Sequence, residues 1–171
     1  MDDSTYRRAM RLLAGGVTIV ATSFQGEKSG LTATAVCSLA LSPPRVLACV
    51  NLAGVTYELI AKSRIMSVNL LADGHAELAQ RFAAKRATQT EDRFANSTWR
   101  AAKTGAPLLA DALAALDCRV TDIIQLETHA IVTHAIVIGV VEDIIFGPHR
   151  PPLVHFEGGY TSLSTVGEPS K

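Results

Sequence analysis

A mainly β fold with a few peripheral helices is what this 171-residue sequence predicts. Three observations carry that expectation. Runs rich in Val, Ile and Thr recur at 15–22, 30–38, 45–51, 64–71, 116–124 and 131–146, and these residue types suit a pleated, half-buried surface. Segments with helical spacing are short and few, at 4–13, 56–63 and 76–84. Strands follow one another without βαβ alternation, and neither GxGxxG nor GxxxxGK[ST] occurs. That pattern suits an antiparallel barrel with added helices and excludes a Rossmann sheet.

The elements can be justified in order. Ser4 reads as an N-cap, and Tyr6, Met10 and Leu13 follow at i, i+4 and i+7 before Gly15-Gly16 ends the helix. After the first strand, 26–30 reads as a turn. In the run 30–38 the hydroxyl residues Thr32, Thr34 and Ser38 have even spacing. On one extended strand they share a face, with Ala33, Ala35 and Cys37 on the other. Such a strand either presents hydrogen-bonding groups to a flat polar ligand or is a Thr-rich strand half exposed to water. Pro43-Pro44 precedes the next strand, and Thr56 stands where a helix would begin, as an N-cap or as part of a phosphate-binding helix start. Asp73-Gly74 is a turn, Leu78 and Phe82 share a helix face, and 85–107 reads as a long polar loop carrying Phe94 and Trp99.

The segment 128–132 is repeated at once as 133–137, Thr-His-Ala-Ile-Val in both copies. The period is odd, so on one regular strand His129 and His134 face opposite ways.

Composition narrows the function. Hydrophobic residues make up 48% and charged residues 19%, as in a globular protein with a real core. Lys plus Arg and Asp plus Glu both number 16, and that balance speaks against nucleic-acid or membrane-surface binding. Cys37, Cys49 and Cys118 are widely spaced without a CxxC, which points to reduced thiols and neither a disulfide framework nor a metal site. The acidic start Met1-Asp2-Asp3 lacks the basic region of a signal peptide, and no apolar run reaches ~20 residues, so a cytoplasmic location is expected. A single domain over 1–171 is expected, with its core at 4–163 and a polar tail at 165–171. No Ser/His/Asp triad, catalytic carboxylate pair or HExxH is evident.

Taken together, Gly16-Val17-Thr18-Ile19, Gly30-Leu31-Thr32-Ala33-Thr34-Ala35 through Ser38, Pro43-Pro44 and Cys49-Val50-Asn51 resemble the short-chain flavin reductases. Further landmarks of that family follow in order: Arg81-Phe82-Ala83, Arg93-Phe94-Ala95, Gly105-Ala106-Pro107-Leu108, Asp117-Cys118-Arg119, Thr-His before an apolar strand, Pro151-Pro152-Leu153-Val154 and Gly159-Tyr160. The resemblance spans roughly 4–163 and implies an FMN-binding split β-barrel. It implies that Thr32, Ala33, Thr34 and Ser38 hold the flavin, with Cys49, Asn51 and Thr56 toward the ribityl chain and phosphate. Arg81, Phe82 and Lys85 are further candidates at the phosphate and ring edge. His155, Phe156 and Tyr160 fall on the nicotinamide side. The family histidine near both rings is His129 by the count from Cys118 and His134 by the count back from Gly139 and Glu142. The second count runs along a strand and is favoured, because the first crosses a connection that tolerates insertions. The implied cofactor is FMN rather than FAD, with NADH or NADPH as co-substrate. The implied assembly is a homodimer that delivers reduced flavin to a monooxygenase, or electrons to another acceptor such as a corrin cobalt. A flavin-binding electron carrier without turnover, or a cofactor-free barrel, is the competing reading.

Overall fold

The structure, a computed structural model, describes residues 2–84, 93–125 and 134–163. It is mainly β with peripheral helices. The order is α1 (Asp3–Arg11), β1 (Gly15–Gly16), β2 (Thr18–Phe24), β3 (Glu27–Ala33), β4 (Val36–Leu41), β5 (Pro44–Asn51), α2 (Val55–Ser63) and β6 (Ile65–Leu70). A 3-10 turn (Asp73–His75) and α3 (Ala76–Ala83) follow. The chain then forms β7 (Trp99–Ala101), β8 (Pro107–Leu109), β9 (Ala114–Gln125), β10 (His134–Phe146), β11 (Leu153–Phe156) and β12 (Gly159–Ser162).

Seven strands form one antiparallel sheet in the order β3-β2-β6-β9-β10-β5-β4. Its two edges, β3 and β4, are consecutive in sequence and separated only by Thr34 and Ala35. Two residues span at most about 11 Å between flanking Cα atoms, so the edges must meet and the sheet must curl into a barrel. No ladder joins β3 to β4, and the Cys49 N–H, donating to the Ala35 carbonyl at 2.9 Å, carries the β4–β5 pairing one residue further toward the seam. The barrel is therefore split along that seam.

Both faces of β2 are buried, and its period of two feeds two cores. Ile19 and Ala21 join Val17, Leu71, Phe82, Leu109 and Leu153 on one side. Val20 joins Val50, Ile60, Met66, Val68 and Val137 on the other. Full burial of a side chain such as Ile60 contributes roughly 1.5–3 kcal/mol. Gly139 is required by close approach: a Cβ there would lie 3.0 Å from both Cys118 Cβ and Met66 Cε.

Several expectations need correction. Asp2, not Ser4, caps α1: its carboxylate accepts from the Thr5 N–H at 2.8 Å, and the Ser4 hydroxyl donates to it as well. A carboxylate at a helix start also meets the positive end of the dipole. Tyr6, Met10 and Leu13 are exposed rather than turned to a core, and Leu13 lies beyond the helix. The turn after β2 is narrower than read. Gln25 and Gly26 alone make it, both with positive φ, as a two-residue hairpin loop needs. Ser29 and Gly30 thereby belong to β3.

The hydroxyl run is not one strand. The chain leaves β3 after Ala33 and starts β4 at Val36, so Thr32, Thr34 and Ser38 do not share a continuous pleat. Within 85–107 the described part contains the short hairpin β7–β8, where a loop was expected. The duplicated segment up to Thr133, with His129, and Lys85 lie outside the described residues.

Candidate functional site

A cleft of about 460 Å³ opens between β3, the end of β5, the start of α2 and the end of α3. That is the size range of small-molecule sites. Its walls include Ser29 and Leu31 from β3, Asn51 from β5, Gly54, Val55 and Thr56 at the helix start, Phe82 from α3, and Arg93. Among the described residues no carboxylate lines it.

The helix start is shaped for an anion. Gly54 takes the N-cap position in extended conformation and supplies no side-chain cap, so the first amides of α2 have no side-chain acceptor. The Asn51 side chain accepts from the Ala53 N–H at 2.8 Å and fixes the loop leading into the helix. Thr56 is not the cap. It is buried in the first turn with its hydroxyl 2.9 Å from that of Ser29, which is equally buried. Two adjacent hydroxyls offer more O–H donors than one mutual bond consumes.

Arg93 brings the charge. It donates to the Gly30 carbonyl at 2.9 Å and to the Ala84 carbonyl at 2.7 Å, bridging two walls of the cleft. Its Nε is buried without a partner, and no carboxylate pairs with it among the described residues. A cation satisfied only by carbonyls keeps its full charge for a bound anion. Phe82 supports this wall. Its ring lies on Gly30, where a Cβ would come within 2.8 Å of Cε1. It also packs against Phe94 and Trp99, with ring centroids at 5.1 and 5.7 Å.

A second group of residues gathers at the split seam. A Cβ on Gly15 would meet Thr34 Cβ at 3.1 Å, so glycine lets β1 approach Thr34 closely. Gly15 stands opposite His155 in the β1–β11 ladder. His155 meets Tyr160 edge-on at 5.7 Å, and partial burial raises the Tyr160 phenol pKa. His134 opens β10 directly opposite Asn51.

Of the residues expected from sequence, the cleft gathers Asn51, Thr56 and Phe82. Thr32 is turned to α3, its hydroxyl donating to the Ala79 carbonyl at 2.6 Å. Arg81 donates to the Ala95 carbonyl rather than reaching into the cleft. Ala33 is buried, Cys49 is half-buried two residues before Asn51, and Thr34 and Ser38 are exposed. Phe156 is exposed at the β11–β12 turn. Sequence reasoning missed Ser29, hidden in an overlong turn, and Arg93 as a site residue. Cys118 is no nucleophile: burial first, then the charges of Asp117 and Glu142, push its thiol up to about 12. Among the described residues no cluster of His, Cys, Asp or Glu could hold a metal, and no helix is long and apolar enough to cross a membrane.

Comparison with known proteins agrees with this geometry. Residues 10–164 match the model of the flavin reductase like domain. The chain is 37% identical over 162 residues to the FMN reductase (NADH) RutF of Enterobacter cloacae subsp. cloacae, covering 95% of this chain and 94% of that one. It is 36% identical over 163 residues to FMN reductase (NADH) RutF 1 of Methylorubrum extorquens, covering 95% and 77%. The NADH:FAD oxidoreductase SgcE6 of Streptomyces globisporus C-1027, solved in complex with NAD and FAD fragments, superposes with a TM-score of 0.85 at 27% identity, covering 98% and 96%. The chain belongs to the flavin reductase-like family. It is an oxidoreductase of that class.

Proposed function

We propose that this protein is an NADH-dependent FMN reductase whose cleft takes the phosphate end of the flavin. One observation carries the reading: an uncapped helix start, the Ser29–Thr56 hydroxyl pair and Arg93 converge on a cleft in which the described residues include no carboxylate. The donor set fits a phosphate monoester. The relatives named FMN reductase (NADH) favour FMN and NADH over FAD and NADPH.

A bound flavin supplies the hydride-accepting chemistry. The chain's own residues bind and orient. Arg93, Thr56 and Ser29 anchor the phosphate, and Asn51 stands between that end and the seam. Thr34, with Ser38 further along β4, borders the ring. His134, beside Asn51, and His155 with Tyr160 position the nicotinamide. Phe156, Ala33 and Cys49 shape the surroundings without contacting the cleft.

In this reading the protein works as a symmetric homodimer. The edge strand β4 is exposed along most of its length, with Leu39 and Leu41 among the exposed apolar residues. An uncovered edge of that kind invites another chain, and a second copy laid there would close the ring end of the site. The reduced flavin passes to a partner monooxygenase, with a corrin cobalt as the other acceptor class. Titration with FMN under fluorescence detection, followed by NADH addition, tests the reading. Saturable binding and NADH-dependent bleaching are expected. Binding without bleaching identifies a carrier, and absence of binding overturns the reading.

A further inference from the structure

Asp117 is a fully buried carboxylate that none of the chemistry above uses. No cation pairs with it among the described residues. Both of its oxygens are taken by Thr104: the backbone N–H donates at 3.0 Å and the hydroxyl at 2.5 Å. Thr104 lies in the turn of the β7–β8 hairpin, and the Thr104 hydroxyl in turn accepts from the Ala106 N–H. Gly105 has a positive φ, and its carbonyl accepts from the Ser23 hydroxyl at 2.7 Å. Lys103 pairs with Asp143 at 3.3 Å. The hairpin's three paired positions are continued by backbone bonds from Ala102 to Ala106 and from Ala110 to Thr98, and Ser67 and Asn69 of β6 tie β8 to the barrel, while Ser23, Asp117 and Asp143 hold its turn.

What the hairpin carries is an aromatic support behind the Phe82 and Arg93 wall of the cleft. Trp99 in β7 packs on Phe94 at 4.9 Å and on Phe82, and Phe94 adjoins Arg93. We propose that Asp117, acting through Thr104, is a positioning residue that holds the β7–β8 hairpin and thereby places Arg93 for the flavin phosphate. This deepens the proposed function and rests on it. Loosening the turn leaves the seam where the ring would lie untouched, so the loss falls on the phosphate and not on the ring.

The test compares FMN with riboflavin, which has the ring but no phosphate, by fluorescence titration of the full chain. Wild type is expected to prefer FMN. Thr104→Val is expected to cut that preference about tenfold, the scale of one charge-assisted hydrogen bond, while riboflavin affinity stays within about twofold. Thr104→Ser, which keeps the hydroxyl, is expected to retain the preference. An equal fall for both flavins, or an unchanged preference in Thr104→Val, overturns the positioning role. If Thr104→Val fails to fold, Ser23→Ala cuts a different tie to the same turn and is judged by the same ratio. A wild type without preference for FMN overturns the phosphate reading itself, which is a separate outcome from a preference that the variants leave intact.

Discussion

His134 stands directly opposite Asn51 across the β10–β5 ladder. Residues paired this way project from the same side of the sheet, and Asn51 lines the cleft. The histidine is thus set on the face of the sheet that carries the Asn51 side chain, on a strand that supplies no described residue to the cleft lining. His134→Ala is expected to raise the NADH Michaelis constant or slow flavin reduction in stopped flow, with FMN affinity unchanged. If the reduction step is untouched, the role belongs elsewhere.

Arg93 is the cation that lines the cleft among the described residues, so its removal should be the most damaging single change there for FMN. Arg93→Ala is expected to weaken FMN binding by about tenfold or more, from a lost charge-assisted contact of roughly 1.5–3 kcal/mol. Riboflavin binding should change far less. A FMN affinity equal to wild type in the folded variant would falsify the assignment.

Thr56→Val removes one hydroxyl of the buried pair and strands the Ser29 oxygen against a methyl group. A stability loss of about 1–3 kcal/mol is expected from the unsatisfied group, together with weaker FMN binding. Chemical denaturation and flavin titration separate the two effects. Retained stability would mean that Ser29 finds another partner.

Gly30→Ala places a methyl 2.8 Å from the Phe82 ring and 3.1 Å from the Val20 carbonyl. Overpacking of this kind costs about 1–3 kcal/mol, and a lower Tm is the expected reading. An unchanged Tm would show that the aromatic cluster yields easily, which would also weaken the case for a rigid wall.

The α1 cap has its own pH signature. Asp2 is held at about 2, below the usual 3.8, first by the Ser4 hydroxyl and then by the Thr5 amide and hydroxyl. The folded value is depressed, so the cap's contribution is present above 3.8 and lost as pH falls through about 2. Circular dichroism should show α1 fraying across that window in wild type. Asp2→Asn, which caps without titrating, should lack the transition.

The barrel strands were legible because their signal is local: Val and Ile runs between turn residues mark β5, β6, β9 and β10 whatever surrounds them. The hydroxyl run was misread because a period of two says nothing about where a strand stops. Thr34 and Ala35 leave the pleat only because the sheet closes there. The β7–β8 hairpin was hidden because the side chains bonded to it, from Ser23, Ser67, Asn69, Asp117 and Asp143, are distant residues that a window along the sequence never sees together. Arg93 escaped for the same reason. Its meaning lies in the two carbonyls it bridges, those of Gly30 and Ala84, and not in any spacing. Asn51 and Thr56 were found through the family resemblance, while the partner of Thr56, Ser29, needed the fold.

The seam between β3 and β4 bears on how this protein breathes. Elsewhere in the barrel, opening a strand means breaking a ladder, but here the edges β3 and β4 are tied by the two residues of chain between them and by no ladder. Local opening is cheapest where backbone bonds are fewest. A molecule that bridges the seam adds rungs the sheet lacks and draws the population toward the closed form by mass action, as RT ln(1 + [L]/Kd). Amide exchange at Thr34 and Ala35 should therefore slow on flavin binding by more than exchange within β6 or β9, which are already laddered on both sides.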